Sequence, residues 1–320
     1  MSSEVASLPK WYLQVVQVGQ SVATTVILYG QPYYAKQSLG WSPSTIALTQ
    51  VAVGALTAVG SVLGGRVIER EGTRVSLRRG LYGLVAGALA GWVLPEGWNM
   101  LVAIVLVAGF QGFIWPAIEA ALTRGEPQER VQHLVGVYNL GWSGASGLAF
   151  FLTTPLMSAF GLRAMFALPL MLYLINLMLV WKVLPDYDRI PDEHHTVVDP
   201  EGVELTPQQR RAFRLLGWLA NPMAYVAINV IVTYNPVVAQ RMGVSFATAS
   251  SWFSLWFYVR MAAFELLRRW SGWHYRPNLL FAAFGVTMLS FAGMMLAPSL
   301  GVHLVAQVLF GLSIGLLYQS

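Results

Sequence analysis

Four ionisable side chains lie within or beside long apolar runs of the sequence: Glu119, Arg260, Glu265 and His303. Charge is costly in such surroundings, so residues of this kind usually have a function or a close partner. The two glutamates and His303 could carry a proton or bind a cation. Arg260 could bind an anionic group of a substrate or pair with a buried acid. Glu265 is followed at three and four residues by arginines, so a local salt bridge is the favoured interpretation there.

The sequence contains none of the residue sets that covalent or metal-dependent catalysis requires. It has no cysteine, no Gly-x-Ser-x-Gly pattern and no His-Glu-x-x-His pattern. His194 and His195 stand beside several acids, but they lack the spacing of metal ligands on a helix and lie in a polar stretch. We therefore predict a protein that is not an enzyme and that holds neither a metal nor another cofactor.

The composition indicates a polytopic membrane protein. Apolar residues account for 56% of the 320 residues and charged residues for only 11%, which a soluble domain of this length would not tolerate. The net charge of +5 comes from short basic clusters between apolar runs, so it does not indicate nucleic-acid binding. The expected partners are the lipid bilayer and a small-molecule substrate. The polar stretch Met1–Lys10 lacks the features of a cleaved signal peptide.

Ten segments are long and apolar enough to be membrane helices of about 20 residues. They are Trp11–Tyr34, Ser44–Gly64, Leu77–Leu94, Trp98–Leu122, Gln132–Phe160, Leu162–Leu184, Phe213–Gln240, Phe246–Leu267, Asn278–Ala297 and Leu300–Tyr318. The one sizeable polar stretch, Pro185–Arg211, separates six segments from four. The sequence therefore predicts an all-α membrane bundle with a first domain at 1–184, a flexible linker at 185–212 and a second domain at 213–320.

The distribution of lysine and arginine predicts how the chain crosses the membrane. Basic residues concentrate in alternate connections, including Lys10, the group from Arg66 to Arg79 and the pair Arg268 and Arg269. Loops rich in lysine and arginine stay in the cytoplasm. We therefore expect an integral protein of the plasma (inner) membrane, with its N-terminus and the long linker in the cytoplasm.

The connection between the second and third predicted helices has the pattern Gly-x-x-x-acid-Arg-x-Gly-x-Arg-x-x-Leu, from Gly65 to Leu77. Gly72 permits a sharp turn, and the arginines suit the lipid headgroups, where Glu69 can pair with them. The pattern resembles motif A of major facilitator superfamily transporters, with Glu69 where that family more often has Asp. The resemblance implies a cytoplasmic gate.

We call the six residues assigned to this gate the gate residues: Gly65, Glu69, Arg70, Gly72, Arg74 and Glu119. Glu119 lies near the cytoplasmic end of the fourth predicted helix. If the family layout holds, it is within reach of the arginines of motif A. We therefore predict a pair between Glu119 and either Arg70 or Arg74.

Polar side chains recur at helical spacing on the first, fourth, seventh and tenth predicted helices, whereas the third, sixth and ninth are almost wholly apolar. In the superfamily that this chain resembles, helices one, four, seven and ten line a central cavity. We therefore predict cavity residues, with further members on the fifth and eighth helices: Gln14, Gln17, Gln111, Trp115, Tyr138, Trp142, Tyr225, Asn229, Trp256, Arg260, His303 and Gln307. The alternative is that these side chains only bond one helix to another.

Two departures from the family patterns limit what the resemblance implies. Gln111-Gly112 matches part of motif B, but Ala108 occupies its arginine position, so proton coupling through that arginine is not supported. The fifth helix lacks the Gly-Pro and Gly-Gly pairs of the antiporter motif, which places drug–proton antiport in doubt. Amide and aromatic residues in the cavity favour a small polar organic solute such as a sugar, and the coupling ion, proton or sodium, stays open.

The sequence thus predicts a secondary active transporter that works by alternating access. Two alternatives remain: a non-transporting scaffold or inactive truncated transporter, and a ten-helix transporter of the drug/metabolite type. The second is built as five plus five helices, which does not fit a linker after the sixth. Because Leu316–Ser320 provides no polar or basic flank, we expect a fragment that lacks the last two helices of its family.

Overall fold

The computed structural model describes residues 10–182, 188, 206–270 and 276–319. Helices are the regular structure throughout this part of the chain, in agreement with the predicted all-α class. The helices are α1 (Trp11–Gln37), α2 (Pro43–Glu71), α3 (Thr73–Val93), α4 (Trp98–Thr123), α5 (Gln128–Phe160), α6 (Ala164–Lys182), α7 (Pro207–Arg241), α8 (Ala249–Trp252), α9 (Leu255–Arg269), α10 (Pro277–Leu296) and α11 (Leu300–Gln319).

Six helical segments in the described ranges are long and apolar enough to cross a membrane. They are α2, α4, α6, residues Met223–Arg241 of α7, α10, and residues Leu300–Leu317 of α11. Two further helices, α1 and α5, have 27 and 33 residues, and both exceed the length that a bilayer requires. These two helices carry more polar side chains than the six apolar segments do, and several of those side chains are predicted cavity residues.

The helices pack in two sets that meet along α5. In the first set, α4 lies against both α2 and α3, while α1 packs on α5 and α6. In the second, α11 lies against α9 and α10, and α7 touches α10 and α11. Contacts between the sets join α5 to α8 and α9, and join α1 and α2 to α7.

The motif A segment is less of a loop than the sequence predicts. Helix α2 continues through Gly65 and ends at Glu71, and α3 begins at Thr73. Only Gly72 interrupts the two helices, with a φ of 96° that favours glycine. Helix α7 likewise begins earlier than predicted, at Pro207, because Thr206 and Gln209 form a capping box at its start.

The eighth predicted span, Phe246–Leu267, is not one continuous helix. A 3-10 turn at Phe246–Thr248 and the short helix α8 precede a break at Phe253 and Ser254, after which α9 begins. Gln307 of α11 satisfies the backbone at this break. Its Nε2 donates to the Trp252 carbonyl at 3.0 Å, and its Oε1 accepts from the Trp256 amide at 3.3 Å. The distant amide replaces bonds that the broken helix lacks.

Glycines bring α2 and α4 into close contact. A Cβ atom at Gly60 would overlap the carbonyl oxygen of Gly109, and one at Gly112 would overlap the backbone of Ser61. No side chain therefore fits between the two backbones at this crossing, which is how small residues allow helices to associate in lipid.

We expect Gly60→Leu to lower the free energy of unfolding by about 3 kcal/mol or more, since a side chain at this crossing must push the helices apart. Gly54→Leu is the matched control, because it lies on the same helix with no atom within 4 Å of its Cβ position. The measurement is the thermal midpoint and the monodisperse yield in detergent. Equal midpoints for the two variants would contradict the close crossing.

Candidate functional site

Asp188, which follows α6, closes the turn between α2 and α3. Its carboxylate accepts hydrogen bonds from the Thr73 amide at 2.9 and 3.0 Å and from the Thr73 hydroxyl at 2.9 Å. Arg124, which caps the end of α4, donates to the same carboxylate at 2.8 Å. A Cβ atom at Gly72 would overlap this carboxylate. A side chain from the predicted linker therefore caps the start of α3 and ties it to α4.

The end of α4 also receives Lys10, which immediately precedes α1. The Lys10 ammonium donates to the carbonyls of Ala121 at 2.7 Å and Arg124 at 3.1 Å, and lies 3.8 Å from the Glu126 carboxylate. Burial lowers the pKa of Lys10 below its usual range, and the negative charge of Glu126 opposes that shift. A cation at the last carbonyls of a helix is favourable. Lys10, Arg124 and Asp188 thus connect the ends of α1, α3 and α4.

The other gate residues on α2 and α3 are more exposed. Glu69 and Arg70 are exposed, and a Cβ atom at Gly65 would meet no atom within 4 Å. Arg74 donates to the Trp181 carbonyl of α6 at 3.0 Å.

Glu119 has a different partner from the one predicted. Its carboxylate accepts a hydrogen bond from the Tyr138 hydroxyl of α5 at 3.2 Å. No pair between Glu119 and Arg70 or Arg74 occurs in the described ranges, because α4 presents Glu119 towards α5 and Arg74 is directed to α6. The predicted local pair at Glu265 is confirmed: Arg268 and Arg269 both donate to its carboxylate.

Two predicted cavity residues of α1, Gln14 and Gln17, lie against α5, and each has a polar atom without a hydrogen-bond partner among the described residues. Gln17 donates from Nε2 to the Tyr138 carbonyl at 3.1 Å, and a Cβ atom at Gly141 would approach its Oε1 at 3.0 Å. The Oε1 of Gln17 and the Nε2 of Gln14 are buried, and neither has a hydrogen-bond partner among the described residues. Such groups are uncommon in folded proteins and call for a ligand, a water molecule or a second conformation.

Arg260 is buried between α5 and α9. Its Nε donates to the Ser143 hydroxyl of α5 at 3.3 Å. Its guanidinium carbon lies 4.5 Å from the ring centre of Trp142 and 5.0 Å from that of Trp256. These are favourable cation–π distances. Three predicted cavity residues, Trp142, Trp256 and Arg260, therefore form one cluster across the contact between the two helix sets.

Three other predicted cavity residues bond one helix to another. Gln111 donates from Nε2 to the Thr57 hydroxyl of α2 at 2.7 Å. His303 places Nδ1 3.0 Å from the Met294 carbonyl of α10. Gln307 uses both ends of its amide at the break before α9. In each case, the partner is a backbone or hydroxyl group of another helix, which is the kind of contact that the alternative interpretation describes.

The remaining predicted cavity residues belong neither to the pair Gln14 and Gln17 nor to the cluster around Arg260. Trp115 is half-buried and packs against the apolar core. Tyr225 is 53% exposed on α7, and the Asn229 amide donates to the Tyr225 carbonyl at 2.8 Å within the same helix. Both lie on one face of α7.

Sequence reasoning missed two residues with a clear place in the structure. Asp188 appeared only as one acid among many in the linker. Asn235 of α7 is fully buried, and its amide atoms have no hydrogen-bond partner within the described part of the chain. Its spacing from Ile228 and Val232 places it on their buried face, which could have marked it as an unusual polar residue in an apolar stripe.

The described side chains offer hydrogen bonds and positive charge. In the described ranges, no three His, Cys, Asp or Glu residues lie close enough to hold a metal ion. The polar groups of the predicted cavity residues are amides, phenol hydroxyls, indole nitrogens, one imidazole and one guanidinium. Groups of these kinds donate or accept hydrogen bonds.

The fold resembles that of several solved transporters. A D-xylose–proton symporter superposes with a TM-score of 0.67 at 17% identity, over 96% of this chain and 80% of the symporter. A bacterial homologue of the human lysosomal transporter Spinster gives a TM-score of 0.67 at 15% identity, over 99% and 74%. A nucleoside transporter gives 0.66 at 11% identity, over 96% and 80%. At these identities, the likeness concerns the fold.

The sequence itself matches the family model described as Major Facilitator Superfamily over residues 15–320. No curated protein matches it. This family model covers nearly the whole chain, and the solved neighbours are transporters of the same fold. The chain therefore belongs to the Major Facilitator Superfamily and is an integral membrane protein of the transporter class.

Proposed function

We propose that the protein moves a small polar organic solute across the plasma membrane by alternating access. The observation that carries the proposal is a pair of buried amide atoms without hydrogen-bond partners among the described residues, the Nε2 of Gln14 and the Oε1 of Gln17. Both side chains lie against α5 at Gly141. A solute with hydroxyl or amide groups satisfies such atoms, whereas helix packing alone leaves them unpaired at a cost of about 1–3 kcal/mol each. Two of the structural neighbours, the D-xylose symporter and the nucleoside transporter, carry solutes of this chemical kind.

The predicted domains supply the two bodies that move. One is the set α1–α6 and the other is the set α7–α11. Besides their contacts along α5, the two sets touch where α1 and α7 end. There the Lys36 ammonium donates to the Gln240 side-chain oxygen at 2.7 Å and to the Pro236 carbonyl at 3.4 Å. The distribution of basic residues supports an N-terminus in the cytoplasm, which would put this end outside the cell. The contact therefore supports a conformation closed on the outside.

In this proposal, the gate residues and Asp188 together form the cytoplasmic gate. The Asp188 carboxylate holds α3 and α4 in a fixed relation, so the first bundle moves as one body. Glu119 lies next to Tyr138, whose carbonyl is bonded to Gln17. This proximity supports Glu119 as the residue through which a coupling proton or sodium ion communicates with the solute site.

Arg260 completes the proposed solute site from the second bundle. Its contacts with Ser143 and Trp142 of α5 place the positive charge at the seam between the bundles. The aromatic rings beside it suit a flat or ring-shaped part of the solute. We propose that Trp142 and Trp256 pack on the solute while Arg260 orients its most electronegative group.

A crosslink across the Lys36 end tests alternating access. The chain has no cysteine, so Lys36→Cys/Gln240→Cys can be linked by a short bifunctional thiol reagent without background. We expect the link to abolish transport, because the outer end can no longer open. The control Trp92→Cys/Arg163→Cys joins residues in contact within the first bundle and should transport normally when linked. Full transport by the linked Lys36→Cys/Gln240→Cys protein would contradict the proposal.

The α1 amides are tested by ligand-induced thermal stabilisation. We expect a member of a panel of pentoses, hexoses, nucleosides and dipeptides to stabilise the wild type, and Gln17→Ala to weaken its binding about three- to tenfold, the value of one hydrogen bond. Gln37→Ala, an exposed glutamine on the same helix, should bind as the wild type does. Equal affinities for Gln17→Ala and Gln37→Ala would assign Gln17 to packing.

Asp188→Ala tests the contacts by which the Asp188 carboxylate joins the start of α3 to the end of α4. We expect it to lower the free energy of unfolding by about 1–3 kcal/mol, because α3 loses its cap and Arg124 loses a half-buried partner. Asp188→Asn keeps one acceptor and should have a smaller effect. Glu96→Ala, at an exposed position in the α3–α4 connection, is the control. Thermal unfolding followed by tryptophan fluorescence measures the difference. An unchanged midpoint for Asp188→Ala would contradict a stabilising role for the Asp188 contacts.

A further inference from the structure

A groove of about 770 Å³ runs along the outside of the first bundle, between α2 and α3. Helix α4 packs behind both of these helices and forms the floor, with Phe110 and Phe113. The residues that line the groove belong to α2, α3 and α4, and none of them belongs to α1, α5 or α9. The groove therefore shares no residue with the proposed solute site.

One end of the groove is positively charged. Arg66 and Arg70 lie one turn apart on α2, so they share a face of that helix. Both are exposed, and neither has a hydrogen-bond or ion-pair partner within the described part of the chain. A third arginine of the rim, Arg79, donates both of its terminal nitrogens to the Glu71 carboxylate. The net charge of this end therefore comes from Arg66 and Arg70.

The other end of the groove is apolar. Phe110 and Phe113 stack with ring centres 5.6 Å apart, and Gly83 of α3 lies directly on the Phe110 ring. Beyond them, Ala86 and Leu106 continue the lining away from the turn at Gly72. The length of the groove thus runs from a site for negative charge to a site for hydrocarbon.

We propose that this groove binds one anionic phospholipid of the leaflet that borders the α2–α3 turn. The phosphate lies between the guanidinium groups of Arg66 and Arg70, and one acyl chain lies over Phe110 and Phe113. Charge complementarity selects the occupant: lipid phosphates are the anions at that depth, and each basic residue near them contributes favourably. A soluble phosphate would leave the apolar floor uncovered, and an apolar helix would leave the arginines unpaired.

The lipid would bear directly on motif A. Arg66 and Arg70 belong to the last turns of α2, next to Gly72 and the residues that Asp188 holds. A bound phosphate there joins this end of α2 to the membrane surface. The proposal does not depend on which solute the protein carries, because no residue of the proposed solute site lines the groove.

The experiment measures binding of phosphatidylglycerol to the full chain in nanodiscs of phosphatidylcholine, with native mass spectrometry to count retained lipids. We expect Arg66→Gln/Arg70→Gln to bind phosphatidylglycerol roughly 30-fold more weakly, since each arginine near the headgroups contributes about a factor of five. Ala86→Phe fills the apolar part of the groove and should also reduce retention, with no change in charge.

The matched control is Arg211→Gln/Arg276→Gln, which removes two exposed arginines from the starts of α7 and α10 and should bind as the wild type does. Inorganic phosphate in excess should not displace the lipid. Equal retention by the wild type and the Arg66→Gln/Arg70→Gln variant would overturn the site. So would a loss that inorganic phosphate reproduces and that Ala86→Phe does not share, because the groove would then bind an anion and not a lipid.

Discussion

The close crossing of α2 and α4 is the contact on which much of the first bundle depends. With no side chain between Gly60 and Gly112, the two backbones approach until the Thr57 hydroxyl reaches both Gln111 and the Ala108 carbonyl. Lipid provides no hydrophobic force between helices, so packing and such hydrogen bonds must hold them. The same close contact holds α4 against α2, and Phe110 of α4 forms part of the floor of the outer groove.

The helical architecture was predictable because a bilayer admits few alternatives. An apolar run of sufficient length must satisfy its own backbone, and a helix does so. The pair at Glu265 was also predictable, because its partners lie three and four residues away. The break before α9 was not, because Gln307 satisfies it from more than 50 residues further along the chain. Asp188 escaped prediction for the same reason: its partners are Thr73 and Arg124.

Helical spacing identifies which residues share a face, but not which neighbour that face meets. Gln14 and Gln17 lie against α5 at Gly141, and each has one buried amide atom without a partner among the described residues. Gln111 obeys the same spacing rule on α4 and meets a hydroxyl of α2. The difference arises from the order in which helices surround one another, which single-helix periodicity does not contain. Predicted cavity residues of one chemical type therefore divide into candidates for solute contact and residues that bond helices together.

The contact of Lys10 with the end of α4 imposes an order on biogenesis. Its acceptor at Ala121 is encoded 111 residues later, so at a synthesis rate of about 5–20 residues per second the acceptor appears roughly 5 to 20 seconds after the lysine. The contact that holds the start of α1 can therefore form only after the end of α4 has been synthesised.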